Sequence, residues 1–303
     1  MRIFVTGATG FIGSAIVREL IDSGHQVLGL ARSDAKARSL TATGAEVHRG
    51  SLEDLDSLRR GAANSDAVIH TAFIHDFNNY APAAEADRRA IEAIGAELAG
   101  SDKPFVVTSG SLLVQRKGPL ATENDAVTPD FPRKSEQAAL ALVSHGVKAS
   151  VVRLPPSVHG KGDHGFVPAL IRIAREKGVS AYAGDGLNRW PAVHRLDAAV
   201  LYRLIVEKGS AGGKYHGIAD QGVPFREIAE VVGRRLNLPV VSKAPDEASA
   251  QFGWIAPFAA IDGPASSAQT QASLGWRPTQ PGLIADLDAD HYFAEVGLAS
   301  SAR

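Results

Sequence analysis

Cysteine is absent from the 303 residues. That excludes disulfides, thiolate metal sites and a cysteine nucleophile, and it makes a reducing compartment, the cytoplasm, the expected location. An excess of one charge is missing too: 33 acidic side chains stand against 32 basic ones, a formal charge of −1. Neither a nucleic acid nor an anionic membrane surface is therefore an expected partner. No apolar run approaches the roughly 20 residues that cross a bilayer. The amino terminus reads as a strand, not as a charged-then-apolar leader, so no signal peptide is expected. Internal repeats and low-complexity linkers are lacking. No metal-ligand spacing is found, so no metal is expected, and no serine–histidine–aspartate order points to a hydrolase.

What is present is an alternation. Strand-like apolar runs fall at Arg2–Thr6, Gln26–Ala31, Ala45–Arg49, Ala67–Ala72, Phe105–Ser109 and Ala149–Leu154. Helix-period stretches lie between them at Ser14–Ser23, Ser33–Thr43, Leu52–Ala62, Glu85–Ala99 and Ser135–Ser144. Alternation of this kind predicts an α/β fold, a doubly wound parallel sheet with helices on both faces. Continuous apolar strands fit a sheet covered on both sides. After Leu154 the rhythm changes. Pro155-Pro156 stops the strand, and a loop rich in glycine and histidine follows, His159 to Gly165. Amphipathic helices are expected at Val167–Lys177, Asp197–Lys208 and Phe225–Leu236, with a Pro- and Trp-containing stretch beyond them. The division predicted is a dinucleotide-binding domain, 1–157 with 187–215 returning to it, and a smaller mixed α/β lobe, 158–186 and 216–303, over the carboxyl edge of the sheet.

Gly7, Gly10 and Gly13 sit between the first strand and the first helix. Gly7 permits a tight turn, Gly10 lets a pyrophosphate approach the backbone, and Gly13 lets helix and strand pack closely. The free N–H groups of the helix that follows can hold the phosphates.

Val5-Thr6-Gly7-Ala8-Thr9-Gly10-Phe11-Ile12-Gly13 resembles the opening of the extended short-chain dehydrogenase/reductase superfamily, relatives of sugar-nucleotide epimerases, dehydratases and dihydroflavonol reductases. The resemblance covers nearly the whole chain. Ala67–Ala72 looks like the family's fourth strand and Val106-Val107-Thr108-Ser109 like its fifth. Arg153-Leu154-Pro155 resembles the motif after the sixth, and Leu274-Gly275-Trp276-Arg277-Pro278 a common C-terminal signature. The resemblance implies a Rossmann fold and a nicotinamide cofactor. It places that cofactor along Gly7, Thr9, Gly10, Phe11, Ile12 and Gly13, then along Gly50, Ser51 and Leu52 on the adenine side, and Thr71, Ala72, Phe73, Thr108, Leu154 and Pro155. An acid is common in the family at the position of Ser51. At the end of the second strand an acidic residue selects NAD. This chain has Ala31, Arg32 and Ser33 there, with Lys36 and Arg38 nearby. A guanidinium and a hydroxyl suit a 2′-phosphate, so NADP(H) is expected.

The same resemblance implies a proton-relaying tyrosine, a lysine four residues on, and a serine or threonine after the fifth strand. Aligning Phe131–Ala139 to that segment puts Pro132 at the tyrosine and Glu136 at the lysine. A one-residue slip puts Phe131 or Arg133 at the tyrosine, and neither gives up a proton. The serine position falls at Gly110, flanked by Ser109 and Ser111. The usual relay is missing, and three readings stay open. A reductase with a displaced donor would use Ser109, Ser111, His75 or His159, the histidines having a suitable pKa. An imine reductase would need chiefly hydride delivery and a shaped pocket. A catalytically silent NADP-binding redox sensor would need neither. A nucleotide-sugar epimerase or dehydratase is the remaining alternative, without an obvious basic cluster for the diphosphate. Phe77, Tyr80, His164, Phe166, Trp190, Phe252 and Trp254 are the expected lining of a pocket for a small-molecule substrate. Family members often pair through their fourth and fifth helices, which here predicts a homodimer.

Overall fold

The computed structural model describes residues 1–76 and 79–294. Elements in chain order are β1 (Arg2–Thr6), α1 (Phe11–Asp22), β2 (Gln26–Ala31), α2 (Asp34–Thr41), β3 (Glu46–Arg49), α3 (Leu55–Ala63), β4 (Ala67–His70), α4 (Tyr80–Leu98), β5 (Pro104–Gly110), α5 (Ser135–Ala141), β6 (Lys148–Leu154), β7 (Ser157–His159), α6 (Phe166–Lys177), β8 (Ser180–Ala183), β9 (Arg189–His194), α7 (Arg195–Lys208), β10 (Lys214–His216), β11 (Asp220–Pro224), α8 (Phe225–Leu236), β12 (Val240–Lys243), α9 (Ala248–Phe252), α10 (Ala256–Ala259), α11 (Ala268–Leu274) and α12 (Leu283–Leu287).

Seven strands form one parallel sheet in the order β10-β6-β5-β4-β1-β2-β3. Alternate residues of each strand enter opposite cores, as the pleat requires. Ile3, Val5, Ile69, Val106 and Val152 face one cluster with α1 and α7. Phe4, Val68, Phe105, Val107 and Val151 face the other, with α3, α4 and α5. This is the doubly wound, Rossmann-type α/β fold that the alternation predicts. The strand β10 was not among the predicted strands. It offers only Tyr215 as an apolar signal and is placed by its parallel register against Val151–Arg153.

A third cluster lies outside the sheet. α6, α8, α9, α10 and α12 enclose Trp190, Phe225, Phe252, Ile255 and Leu283, each at most 2% exposed. Two small sheets, β11-β9-β7 and β12-β8, carry this lobe. The chain mixes the two regions. Trp190 of β9 packs in the lobe, whereas Leu274 and Trp276 pack with α1 and α7 on the main sheet. Among the described residues no helix is long and apolar enough to cross a membrane.

Candidate active site

The turn between β1 and α1 is built from backbone that admits no side chain. Gly7 has φ +71°, and a Cβ there would stand 2.7 Å from Thr71 Oγ1 and 2.8 Å from Ala72 N. A Cβ on Gly13 would meet Gly7 O at 2.0 Å. The turn closes by Gly10 N donating to Gly7 O at 2.8 Å. Gly10 caps α1 without any side-chain bond, and the first turn carries no acidic residue. The α1 N–H groups are thus left for an anionic ligand. Thr9, Phe11 and Ile12 are half-buried along the same turn.

At the carboxyl end of β2, Ala31 is buried, while Arg32 and Ser33 are exposed. Arg32 has no bonding partner among the described residues. Ser33 accepts from Lys36 N at 3.4 Å as the α2 cap, which leaves its hydroxyl proton to give. Asp34 is held by Arg49 across the strand end at 2.5 Å. Gly50 packs where a Cβ would collide with the Ser57 hydroxyl at 2.1 Å. Ser51 Oγ accepts from Glu53 N and Asp54 N, and Leu52 is half-buried.

Beyond β4, Thr71 Oγ1 donates to Thr6 O at 2.8 Å, which ties this segment to the glycine turn. Ala72 and Phe73 follow, half-buried. The guanidinium of Arg133 lies 4.2 Å over the Phe73 ring. His75 meets Phe73 edge-on, and Tyr80 packs on Phe73 and Phe131. Crowding by protein, then the Arg133 charge and His164, lowers the His75 pKa, while burial chiefly raises that of Tyr80. His164 stands edge-on to Phe11, whose ring also takes the Arg195 guanidinium at 5.0 Å. The glycine turn, the β4 end and the lobe loop so come together at the carboxyl edge of the sheet, where open α/β sheets take their ligands.

Ser109 and Ser111 are 2% and 3% exposed, and both hydroxyls lack a protein partner among the described residues. Thr108 Oγ1 bonds Tyr202 OH at 2.6 Å and donates to His70 O. Leu154 and Pro155 are buried at the end of β6.

His159 stands elsewhere. It is fully buried in β7, its Nδ1 2.8 Å from Asp286 and its ring edge-on to His194. Its Nε2 is buried without a bonding partner among the described residues. Trp190 is likewise closed in, donating its indole N–H to Phe258 O. Phe166 packs against Trp190, Trp254 and Phe258, and Trp254 is 39% exposed. Phe252 belongs to the lobe core against Phe225. Phe77 lies outside the described residues. Among the described residues no cluster of three or more His, Asp or Glu suits a metal ion.

The positions aligned with the family's tyrosine and lysine do different work. Pro132 is exposed. Glu136 is buried and grips Arg153 through both oxygens, at 2.6 and 2.8 Å. Arg153 in turn donates to the carbonyls of Thr122, Glu123 and Asp125. Sequence reading missed the group beside them. Arg133 Nη2 donates to Thr108 O at 2.9 Å and Nε to Ser135 Oγ at 2.8 Å, while Ser135 donates to Asp87 at 2.5 Å. Only its adjacence to Pro132 marks Arg133 in the sequence.

The profile of the NAD dependent epimerase/dehydratase family matches residues 3–110. An uncharacterized protein of Schizosaccharomyces pombe is 51% identical over 97% of this chain and 100% of its own length. A 2-alkyl-3-oxoalkanoate reductase of Stenotrophomonas maltophilia is 29% identical over 80% of this chain and 78% of that enzyme. Among solved structures, a dTDP-glucose 4,6-dehydratase of Streptomyces venezuelae with NAD bound superposes with a TM-score of 0.77 at 21% identity, over 95% of each chain.

Proposed function

The chain belongs to the NAD dependent epimerase/dehydratase family, an oxidoreductase superfamily, and from that membership we propose that it is an NADP(H)-dependent reductase of a small carbonyl or imine compound. The observation that carries the reading is a glycine turn at an uncapped helix terminus with an unpaired cation, Arg32, at the end of the neighbouring strand. Gly7 and Gly13 let the turn pack tightly against Thr71 and against itself, Gly10 leaves its backbone open to a pyrophosphate, and the α1 terminus beside it carries no side-chain cap. Arg32, with the Ser33 hydroxyl, would bind the 2′-phosphate, and Ser51 and Leu52 would border the adenine. Thr71, Ala72, Phe73 and Pro155 would border the nicotinamide half. When bound, the cofactor supplies a hydride to an electrophilic carbon.

The protein's own part is to place that carbon, exclude water and stabilise the oxygen or nitrogen that takes up charge. Ser109 and Ser111 carry buried hydroxyls without partners. An iminium substrate fits the missing tyrosine, because it needs no strong acid. The Stenotrophomonas relative is named for reducing a 3-oxo acid, which puts 3-oxo compounds first in any substrate panel. The division into a cofactor domain and a lobe that covers the substrate belongs to the same proposal, as does a cytoplasmic site of action. A second reading, an NADP-binding regulator without turnover, is favoured by one observation: Glu136, at the lysine position, is fully committed to Arg153.

The test is a titration with NADPH followed by NADPH oxidation against ketones, 3-oxo esters, aldehydes and cyclic imines. Turnover with any of them supports the reductase. Tight NADPH binding without turnover supports the regulator, and failure to bind either dinucleotide sinks both.

A further inference from the structure

Arg133 sits at the carboxyl edge of the sheet, two residues before α5, and its guanidinium is held from three sides. Nη2 donates to Thr108 O at the carboxyl end of β5, Nε donates to Ser135 Oγ, and the planar group lies on the face of Phe73. Nη1 has no partner among the described residues. Its side chain is only 15% exposed. Nη1 keeps its N–H groups free of protein bonds and open to a ligand or to water, while the rest of the guanidinium is held by protein.

Behind the guanidinium runs a buried chain of bonds. The Ser135 hydroxyl donates a hydrogen bond to Asp87 at 2.5 Å, and the Asp87 carboxylate stands 3.9 Å from Arg133 Nε. The other Asp87 oxygen meets His70 Nε2 at 3.1 Å, and His70 Nδ1 meets Thr6 Oγ1 at 2.8 Å. Thr6 is the last residue of β1, next to the glycine turn. Burial opposes the charge on Asp87, but His70, Arg133 and Ser135 together hold its pKa below the usual carboxylate range. The network therefore fixes one orientation of the guanidinium between the cofactor turn and the β5 edge.

We propose that Arg133 is the electrophilic group of this enzyme: its free N–H donors receive the substrate oxygen in place of the tyrosine hydroxyl that the Pro132 position lacks. Ser135 and Asp87 are its positioning residues. The inference rests on the reductase reading above. Hydride adds to the carbonyl carbon, the C=O π pair moves to oxygen, and the resulting alkoxide is held by Nη1. A guanidinium stays protonated at all working pH values, so it stabilises that charge without giving up a proton. The proton that completes the alcohol comes from solvent water.

The experiment uses the full-length protein and the best carbonyl substrate of the panel. R133Q should lower kcat/KM by about 10²- to 10³-fold, the range for losing one preorganised donor at an oxyanion, with the NADPH Kd changed less than twofold. R133K should be nearly as poor, since an ammonium cannot reproduce the fork. Methylguanidinium added to R133A should restore part of kcat, which loss of a structural contact does not allow. S135A should lower kcat without moving KM. Wild-type kcat/KM in R133Q, or an R133A protein that methylguanidinium leaves unchanged, overturns the assignment alone. A wild type that binds NADPH and reduces nothing overturns the reductase reading and this one with it.

Discussion

Replacing Arg32 with alanine should separate the two nicotinamide dinucleotides. Arg32 follows the last residue of β2, is exposed, and is unengaged by any described side chain. No internal bond therefore has to break for it to reach a ligand, and none is lost when it is removed. The only acid nearby in sequence, Asp34, is tied to Arg49, which blunts its repulsion of a phosphate. A hydrogen bond to a charged group contributes about 1.5–3 kcal/mol. At about 1.4 kcal/mol per tenfold, that corresponds to an affinity loss of about 10- to 150-fold for NADPH. Solvent exposure places the value towards the lower end, and added salt should shrink it further, since such contacts are screened over about 10 Å at 0.1 M.

NADH has a 2′-hydroxyl in place of the phosphate, so its affinity should stay within about twofold. Calorimetric titration of wild type and Arg32→Ala with each dinucleotide, at low and high salt, measures all four quantities. Equal loss for NADPH and NADH would refute the argument, because it would mean that Arg32 supports the cradle and not the 2′ position. A wild type that prefers NADH would refute it outright.

Gly13→Ala should weaken dinucleotide binding by about 1–3 kcal/mol, because the new methyl falls 2.0 Å from Gly7 O and the turn must shift; an unchanged Kd with an unchanged melting temperature contradicts this. Asp262 accepts from Arg189 and Arg116, which hold its pKa at about 2 against an ordinary 3.8. A depressed folded pKa gives stability that is present above the ordinary value and lost as the pH falls towards about 2, so wild type should lose thermal stability through that window more steeply than Asp262→Asn, and parallel curves would show the pair to be inert. Glu136→Gln leaves Arg153 buried without its counter-charge and should cost about 3–5 kcal/mol in denaturant unfolding; a loss under about 1 kcal/mol would mean that the three carbonyls alone hold Arg153. Adding the family's residues, Pro132→Tyr with Glu136→Lys, should lower stability further and raise no activity, and a gain in kcat would show that the fold still accepts the ordinary relay.

Much of the fold was readable because its signal is local. β1 and β2 are apolar runs covered on both faces, and α8 carries Ile228, Val231 and Val232 on one side, so their bounds agree with the sequence reading. The glycine turn was readable for the same reason, since each glycine meets a neighbour close in sequence or in the adjoining strand. What stayed hidden depends on distant partners. β7, β9 and β11 are short and pair with one another across the lobe insertion. His159 reads as the start of a loop rich in glycine and histidine, yet it ends β7 and is fully buried against Asp286. Arg133 reads as an unsuitable proton donor, which it is. Its position comes from Thr108 O, Phe73 and Asp87, three groups that no spacing within Phe131–Ala139 reveals.

The altered relay positions are coherent once their charges are followed. A lysine at position 136 would stand against Arg153, a fully buried cation that also holds the carbonyls of Thr122, Glu123 and Asp125. Two buried cations without a counter-ion are strongly unfavourable, and in this chain Glu136 supplies the counter-charge to Arg153. Once that acid is present, the positive field that acidifies a tyrosine is gone, and a tyrosine at position 132 would keep a high pKa and lose its use as an acid. A permanently charged guanidinium one residue on needs no such help. Its hydrogen bonds to Thr108 and Ser135 and the carboxylate of Asp87 supply orientation instead of pKa tuning. If Arg133 takes up the charge on the substrate oxygen as proposed, substrates whose reduction needs charge stabilised at oxygen more than a proton delivered to it should be the better ones, and a panel of carbonyl compounds of graded basicity would show the opposite order if it does not.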